Sequence, residues 1–188
     1  GESGDIFTFV QRYFGLDFNA ACAKINDDYR LGLPIGKQLT RAEENEARLR
    51  EMLLGWGVQF HSETDTEVVA NLVGYYYEET GDFFGSVRRA VARIEGSYAL
   101  GLLCVDDPDT IVAVKKDSPL IFGFGEGEHF IASDVPAILK HTQTVAYLED
   151  GEMAVFNGNS VTFYSPQGDV IEKKREQITW QLHDAERG

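Results

Sequence analysis

The chain has little cysteine, few basic residues and no long apolar run. Two cysteines, Cys22 and Cys104, in 188 residues are too few for a disulfide framework or a cysteine-rich zinc site. Its 17 Lys and Arg face 31 Asp and Glu, a formal net charge of −14. That balance argues against a nucleic-acid or anionic-membrane surface as partner; Lys173-Lys174-Arg175 is the one dense basic run. No stretch approaches the ~18 apolar residues that span a bilayer, and no charged-then-apolar leader opens the chain. His61, His129, His141 and His183 show no ligand spacing with one another or with cysteine, so no metal is expected, nor any cofactor. These absences together predict a cytoplasmic protein with no membrane or nucleic-acid partner.

What is present suffices for a packed core: 43% of residues are hydrophobic and 12% aromatic. Residues 4–31 read as two short helices. Asp5 caps the first, which carries Ile6, Phe9, Val10 and Tyr13 on one side; Asp17 caps the second, with Phe18, Ala21, Cys22 and Ile25 at helical spacing. Gly32-Leu33-Pro34-Ile35-Gly36 is a breaker-rich linker. Thr40 with Glu43 forms a capping box for a charged helix to about Leu54, and a short strand is expected at Val58–His61. Thr64 with Glu67 forms a second box, opening a helix with Val68, Val69, Leu72, Val73 and Tyr76 inward. Gly81-Asp82 starts another, with Phe83, Phe84, Val87, Val91 and Ile94 apolar and Gly96 ending it.

From Tyr98 the period becomes strand-like. Tyr98–Val105 is a nearly continuous apolar run, predicting a strand covered on both faces. Asp107-Pro108-Asp109 reads as a turn. Strands are expected at Ile111–Lys115, Leu120–Gly125, His129–Ser133, Val145–Leu148, Glu152–Phe156, Val161–Tyr164 and Val170 to about Ile178. A short helix is expected at Val135–His141, capped by Ser133-Asp134, and Asp150-Gly151 gives a hairpin signal. Gly123-x-Gly125-x-Gly127 lies between strands and so reads as a β-turn, not a nucleotide loop, which needs a following helix. Helices followed by an antiparallel meander predict an α+β fold. Trp56 and Trp180 read as packing residues.

Asp65, inside the run Ser62-Glu63-Thr64-Asp65-Thr66-Glu67-Val68-Val69-Ala70-Asn71, is the single candidate site residue. A carboxylate in the first helical turn is favoured by the helix dipole whatever its function, and the box accounts for Thr64 and Glu67 without accounting for Asp65.

That run, extended to Leu72, resembles the glutamine-hydrolysing domain of the glucosamine-6-phosphate synthase (glutamine–fructose-6-phosphate aminotransferase) family. The resemblance covers about Glu46 to Trp180. It is carried in order by Leu49-Arg50-Glu51; Val87-Arg88-Arg89-Ala90; Ile94-Glu95-Gly96-Ser97-Tyr98-Ala99-Leu100; Asp107-Pro108-Asp109-Thr110-Ile111-Val112-Ala113; Ser118-Pro119-Leu120; Gly123-Phe124-Gly125-Glu126-Gly127-Glu128; residues 130–139; and Tyr147-Leu148-Glu149-Asp150-Gly151-Glu152. It implies part of an N-terminal-nucleophile-hydrolase αββα sandwich with antiparallel sheets, and glutamine as ligand, its amino group held by Asp65. It also implies a cysteine as the first residue of the catalytic chain, an Arg with a Thr-His-Gly segment for the substrate carboxylate, and an Asn-Gly pair for the oxyanion. Upstream of Glu46 none of these appears, and residue 1 is Gly. Cys22 and Cys104 lie in apolar runs, unlike the electropositive, partly exposed setting of a reactive thiol. No catalytic residue is therefore assigned, and the chain is expected to be inactive by itself.

Gly4-Asp5-Ile6-Phe7-Thr8-Phe9-Val10 and Gly15-Leu16-Asp17-Phe18-Asn19-Ala20-Ala21 resemble the helices that follow the zinc ribbon of DnaG-type DNA primases, without the zinc ligands. Two segments are thus expected: a primase-like helical segment, 1–45, and a truncated amidotransferase-like domain, 46–188. The resemblance further implies a sheet edge and an apolar face left uncovered, which the N-terminal helices, a second copy of the chain in a homo-oligomer, or both are expected to cover.

Overall fold

The computed structural model describes residues 6–30 and 39–179. The expected cap Asp5, the linker 32–36, Leu31, Trp180 and His183 lie outside the described residues. The chain divides into two compact units, residues 1–40 and 41–188.

In the first unit, α1 (Ile6–Phe14) and α2 (Phe18–Tyr29) pack around Val10, Ala21 and Ile25, with Leu16 against them. Asp17 caps α2 as its sequence predicts, accepting from the Ala20 amide at 2.8 Å. The expected apolar stripe of α1 is only partly used: Val10 is buried, whereas Ile6, Phe9 and Tyr13 are exposed.

The second unit begins with α3 (Arg41–Gly55), α4 (Asp65–Thr80) and α5 (Phe83–Val91). Nine strands follow among the described residues: β1 (Tyr98–Cys104), β2 (Asp107–Lys116), β3 (Ile121–Phe124), β4 (His129–Ala132), β5 (Thr144–Tyr147), β6 (Met153–Phe156), β7 (Val161–Tyr164), β8 (Val170–Ile171) and β9 (Glu176–Gln177). They form two antiparallel sheets, ordered β1-β2-β6-β7-β8 and β4-β3-β5-β9. The fold is α+β.

Strand alternation builds the layers. In β2, Val112 and Val114 face the helices, joining Leu49, Leu53, Val68, Leu72, Val73, Tyr76, Val87 and Ala90, while Ala113 faces the second sheet. Its partners in β6 obey the same rule: Met153, opposite Val114, joins the helical side, and Ala154, opposite Ala113, joins Phe122, Ala146, Phe156 and Phe163 between the sheets. On the outer face of the second sheet, Val135, Ile138 and Leu139 cover Ile121 and Val145. This last layer is a series of turns, where the sequence predicts a helix at Val135–His141. Asp134 nevertheless caps it, accepting from the Ala137 amide at 3.0 Å.

Four other expectations are corrected. Val58–His61 forms no strand: the Val58 amide bonds the Leu53 carbonyl, and the His61 amide is taken by the Glu67 carboxylate, leaving these donors unavailable to a ladder. Asp107-Pro108-Asp109 opens β2, and Val105-Asp106 makes the turn. Asp150-Gly151 makes no hairpin, because β5 and β6 belong to different sheets; the Gly151 amide bonds the Lys115 carbonyl and Asp150 accepts from the Asp117 amide, so this corner is pinned to the end of β2. Residues 170–178 do not make one strand but two short ones, β8 and β9, in opposite sheets.

The apolar run at β1 is not covered on both faces. Tyr98, Leu100 and Leu102 pack toward the helices, but Ala99, Gly101 and Leu103 are exposed, and β1 is a sheet edge. A continuous hydrophobic run reports strand propensity and not which layers are present to bury it.

Candidate functional site

Asp65 is the first residue of α4, and the sequence around it accounts for its placement. Thr64 is the N-cap, its hydroxyl accepting from the Glu67 amide at 3.4 Å. Glu67 reaches back as a capping box requires but grips further upstream: one carboxylate oxygen accepts from the His61 amide at 2.7 Å, the other from the Ser62 amide and the Ser62 hydroxyl at 2.6 Å each. These bonds, led by the Ser62 hydroxyl and the His61 amide, hold the Glu67 carboxyl below its ordinary value of 4.5. The Ser62 hydroxyl and Thr64 hydroxyl also share a hydrogen bond at 2.9 Å.

From the α3 side, Arg50 closes on the same loop. Its two terminal nitrogens donate to the carbonyl oxygens of Ser62 and Thr64, 3.1 Å each, and its guanidinium lies 4.4 Å from the centre of the Phe60 ring. Asn45, buried near the start of α3, ties that helix to the segment before β1: its amide donates to the Arg93 carbonyl and accepts from the Glu95 amide, both at 3.0 Å. Asn45 had no role in the sequence reading, and Arg50 entered only as part of Leu49-Arg50-Glu51; the capping pattern carries no signal for bonds made across 12 to 50 residues.

The result is a cavity of about 280 Å³ lined by Glu46, Leu49, Asp65, Thr66, Ile94 and Tyr98 among others. The Asp65 side chain is exposed; its Oδ1 accepts from the Thr66 amide at 2.7 Å and the Thr66 hydroxyl at 3.3 Å. No hydrogen bond from the described residues engages Oδ2. Asp65 therefore adds a carboxylate to a recess that Glu43, Glu46 and Glu95 also line, an arrangement that accepts an ammonium group.

Adjoining this recess, and sharing Thr66, Val69 and Leu100 with it, a larger groove of about 460 Å³ runs between α4 and β1, lined by Val73, Tyr77, Leu102 and Cys104 among others. Tyr77 donates to Asp106 at 3.2 Å; its hydroxyl is pushed up to about 12, first by its hydrogen bond with Cys104, then by burial and by Asp106. Cys104 is half-buried at this groove, so it is not the enclosed core thiol that its apolar run suggests; Cys22 is buried in α2. Cys104 does not line the Asp65 cavity. His129 sits between the sheets among Phe122, Phe124 and Phe156, and His141 stacks on Phe130. Among the described residues, no helix is long and apolar enough to cross a membrane.

The family signal matches this geometry. Residues 43–140 match the family described as a glutamine amidotransferase domain. The chain is 50% identical over 145 residues to glutamine–fructose-6-phosphate aminotransferase [isomerizing] of Clostridium acetobutylicum, covering 77% of this chain and 24% of that protein. It is 51% identical over 145 residues to the protein of the same name from Caldanaerobacter subterraneus subsp. tengcongensis, with the same two coverages. The chain thus spans about a quarter of the length of the curated relatives it matches. Among solved structures, glutamine phosphoribosylpyrophosphate amidotransferase from B. subtilis, complexed with ADP and GMP, superposes with a TM-score of 0.52 at 21% identity, over 71% of this chain and 26% of that one; at that identity it speaks for the fold alone. With the match to the family spanning more than half of its residues, this chain belongs to the glutamine amidotransferase domain family.

Proposed function

We propose that residues 41–179 are the part of a glutamine amidotransferase domain that holds the amino end of glutamine, in the service of aminosugar synthesis of the glutamine–fructose-6-phosphate aminotransferase kind. Asp65 receives the substrate ammonium. The observation that carries this reading is the Asp65 carboxylate at the start of α4, in the lining of the cavity it shares with Glu46, Leu49 and Ile94, with Oδ2 taken by no hydrogen bond from the described residues. Acyl transfer from glutamine needs a nucleophile and donors for the developing oxyanion. Cys104 stands outside the Asp65 cavity and Cys22 is buried within α2, so the 188-residue chain binds glutamine weakly and does not turn it over.

The test is chemical-shift perturbation of the 188-residue chain by millimolar L-glutamine, with L-glutamate as control and glutamate release followed in parallel. Selective shifts at Asp65 and Thr66, lost in Asp65→Asn, and no glutamate release are expected. Shifts that persist in Asp65→Asn would remove Asp65 from the site, and release that depends on Asp65 would overturn the inactive reading.

A second feature favours self-association. The edge of β1, with Leu103 67% exposed and Val105, in the turn after it, 95% exposed, has no second strand partner among the described residues and lies beside an apolar groove. An antiparallel pairing of two such edges is self-complementary about a two-fold axis. A homo-oligomer that covers this edge is therefore part of the proposal.

A further inference from the structure

We propose that Arg50 is a positioning residue for Asp65: it clamps the two carbonyls that lead into α4 and so sets where the Asp65 carboxylate stands. This rests on the reading of Asp65 as the ammonium-binding group, and adds to it the residue that makes the placement rigid.

Residues 60–64 have no ladder partner and form an irregular segment, so their course is decided by whatever takes their polar groups. Glu67 takes the amides of His61 and Ser62 from the helix side. Arg50 takes the carbonyls of Ser62 and Thr64 from the α3 side, at 3.1 Å each. The same two turns of chain are thus held by an anion on their donors and a cation on their acceptors, and Asp65 is the next residue. The planar fork of a guanidinium suits two acceptors two residues apart, and its face rests on the Phe60 ring at 4.4 Å; an ammonium offers neither the fork nor the plane. The remaining partner of Arg50, Glu46, lies at 3.8 Å one helical turn away on α3. A pair of that length and spacing contributes little. Arg50 is 18% exposed, so its stem is packed and its head spent on the loop. The arrangement joins α3 to the start of α4 at the rim of the cavity that Glu46 and Asp65 share.

The experiment compares the parent chain with Arg50→Lys, Arg50→Met and Asp65→Asn by amide hydrogen exchange, the chemical shift of the Asp65 carboxyl carbon, and glutamine titration. In both Arg50 variants the amides of residues 61–66 should exchange faster and the Asp65 carboxyl signal should move, while amides of β2 and β6 keep their protection. Where the parent responds to glutamine, Arg50→Lys should weaken the response about tenfold, the effect of one charge-assisted hydrogen bond, and Asp65→Asn should abolish it. Unchanged exchange at 61–66 overturns the proposal, as does loss of protection spread evenly through β2 and β6, which would make Arg50 a general stabiliser. Two outcomes separate this inference from the reading beneath it. A loosened loop with no glutamine response in the parent sinks the glutamine site and leaves the clamp standing. A glutamine response lost in Asp65→Asn but unchanged in Arg50→Lys does the reverse.

Discussion

Replacing Asn45 with alanine tests how the wall of the Asp65 cavity is held. Asn45 is 6% exposed, and its two bonds, to the Arg93 carbonyl and from the Glu95 amide, are each 3.0 Å. They fasten the first turn of α3 to the segment that leads into β1. Each bond contributes about 1 kcal/mol net, and a partner left unsatisfied in a buried place costs about 1–3 kcal/mol. Arg93 is exposed and Glu95 half-buried, so water reaches the stranded carbonyl more readily than the stranded amide. The sum is about 2–4 kcal/mol. For a domain of this size that is a fall in Tm of about 6–12 °C, read by calorimetry and checked by urea titration for an unchanged slope. Asn45→Asp sharpens the test: it keeps an acceptor for the Glu95 amide but turns an oxygen toward the Arg93 carbonyl, so it should be at least as damaging near neutral pH and recover as acid supplies a proton. A midpoint for Asn45→Ala within about 2 °C of the parent would refute the reasoning, because it would mean that water replaces both bonds without penalty.

Two further outcomes are expected. His129 is held below its ordinary 6.5 first by burial and then by Arg175, and its Nδ1 is buried without a partner. The unfolded chain therefore takes up a proton there before the folded chain does, so stability is full above 6.5 and falls as pH drops through 6.5 toward the depressed folded value; Glu67, lowered from 4.5, adds a second loss in the same direction below that. Urea midpoints measured across this range should decline with acid, and His129→Gln should flatten the upper part of the curve; an unchanged slope in that variant would discharge His129. At the β1 edge, Leu103→Lys should convert an associating chain to a monomer by sedimentation velocity and remove the concentration dependence of its Tm, whereas a monomeric parent at micromolar concentration would end the oligomer proposal.

Local patterns in the sequence were sufficient for α2 to α5, though not for Val135–His141, which forms turns. The Thr64–Glu67 box and the inward set Val68, Leu72, Val73 and Tyr76 describe α4 as it stands, and Asp82 caps α5 with a bond to the Gly85 amide at 2.9 Å. Caps and helical periods involve residues three or four apart, so the sequence contains both partners. Strand positions were legible for the same reason, since alternation is local. Which strands pair was not: Asp150-Gly151 has the composition of a hairpin and serves as a corner between sheets, because the Lys115 carbonyl and the Asp117 amide claim its groups from a distance. Val58–His61 has strand residues but no neighbour to pair with.

The candidate site divides along the same line. The sequence by itself determined that Asp65 opens a capped helix, and its ordered set of motifs determined the family to which the chain belongs, because such a set survives any change in the surrounding structure. Only the tertiary structure decided that Arg50 and Asn45 belong to the site and that β1 lies open at an edge. Those facts depend on contacts across tens of residues and on which layers are present to be packed against, and neither is written in the period of any one segment.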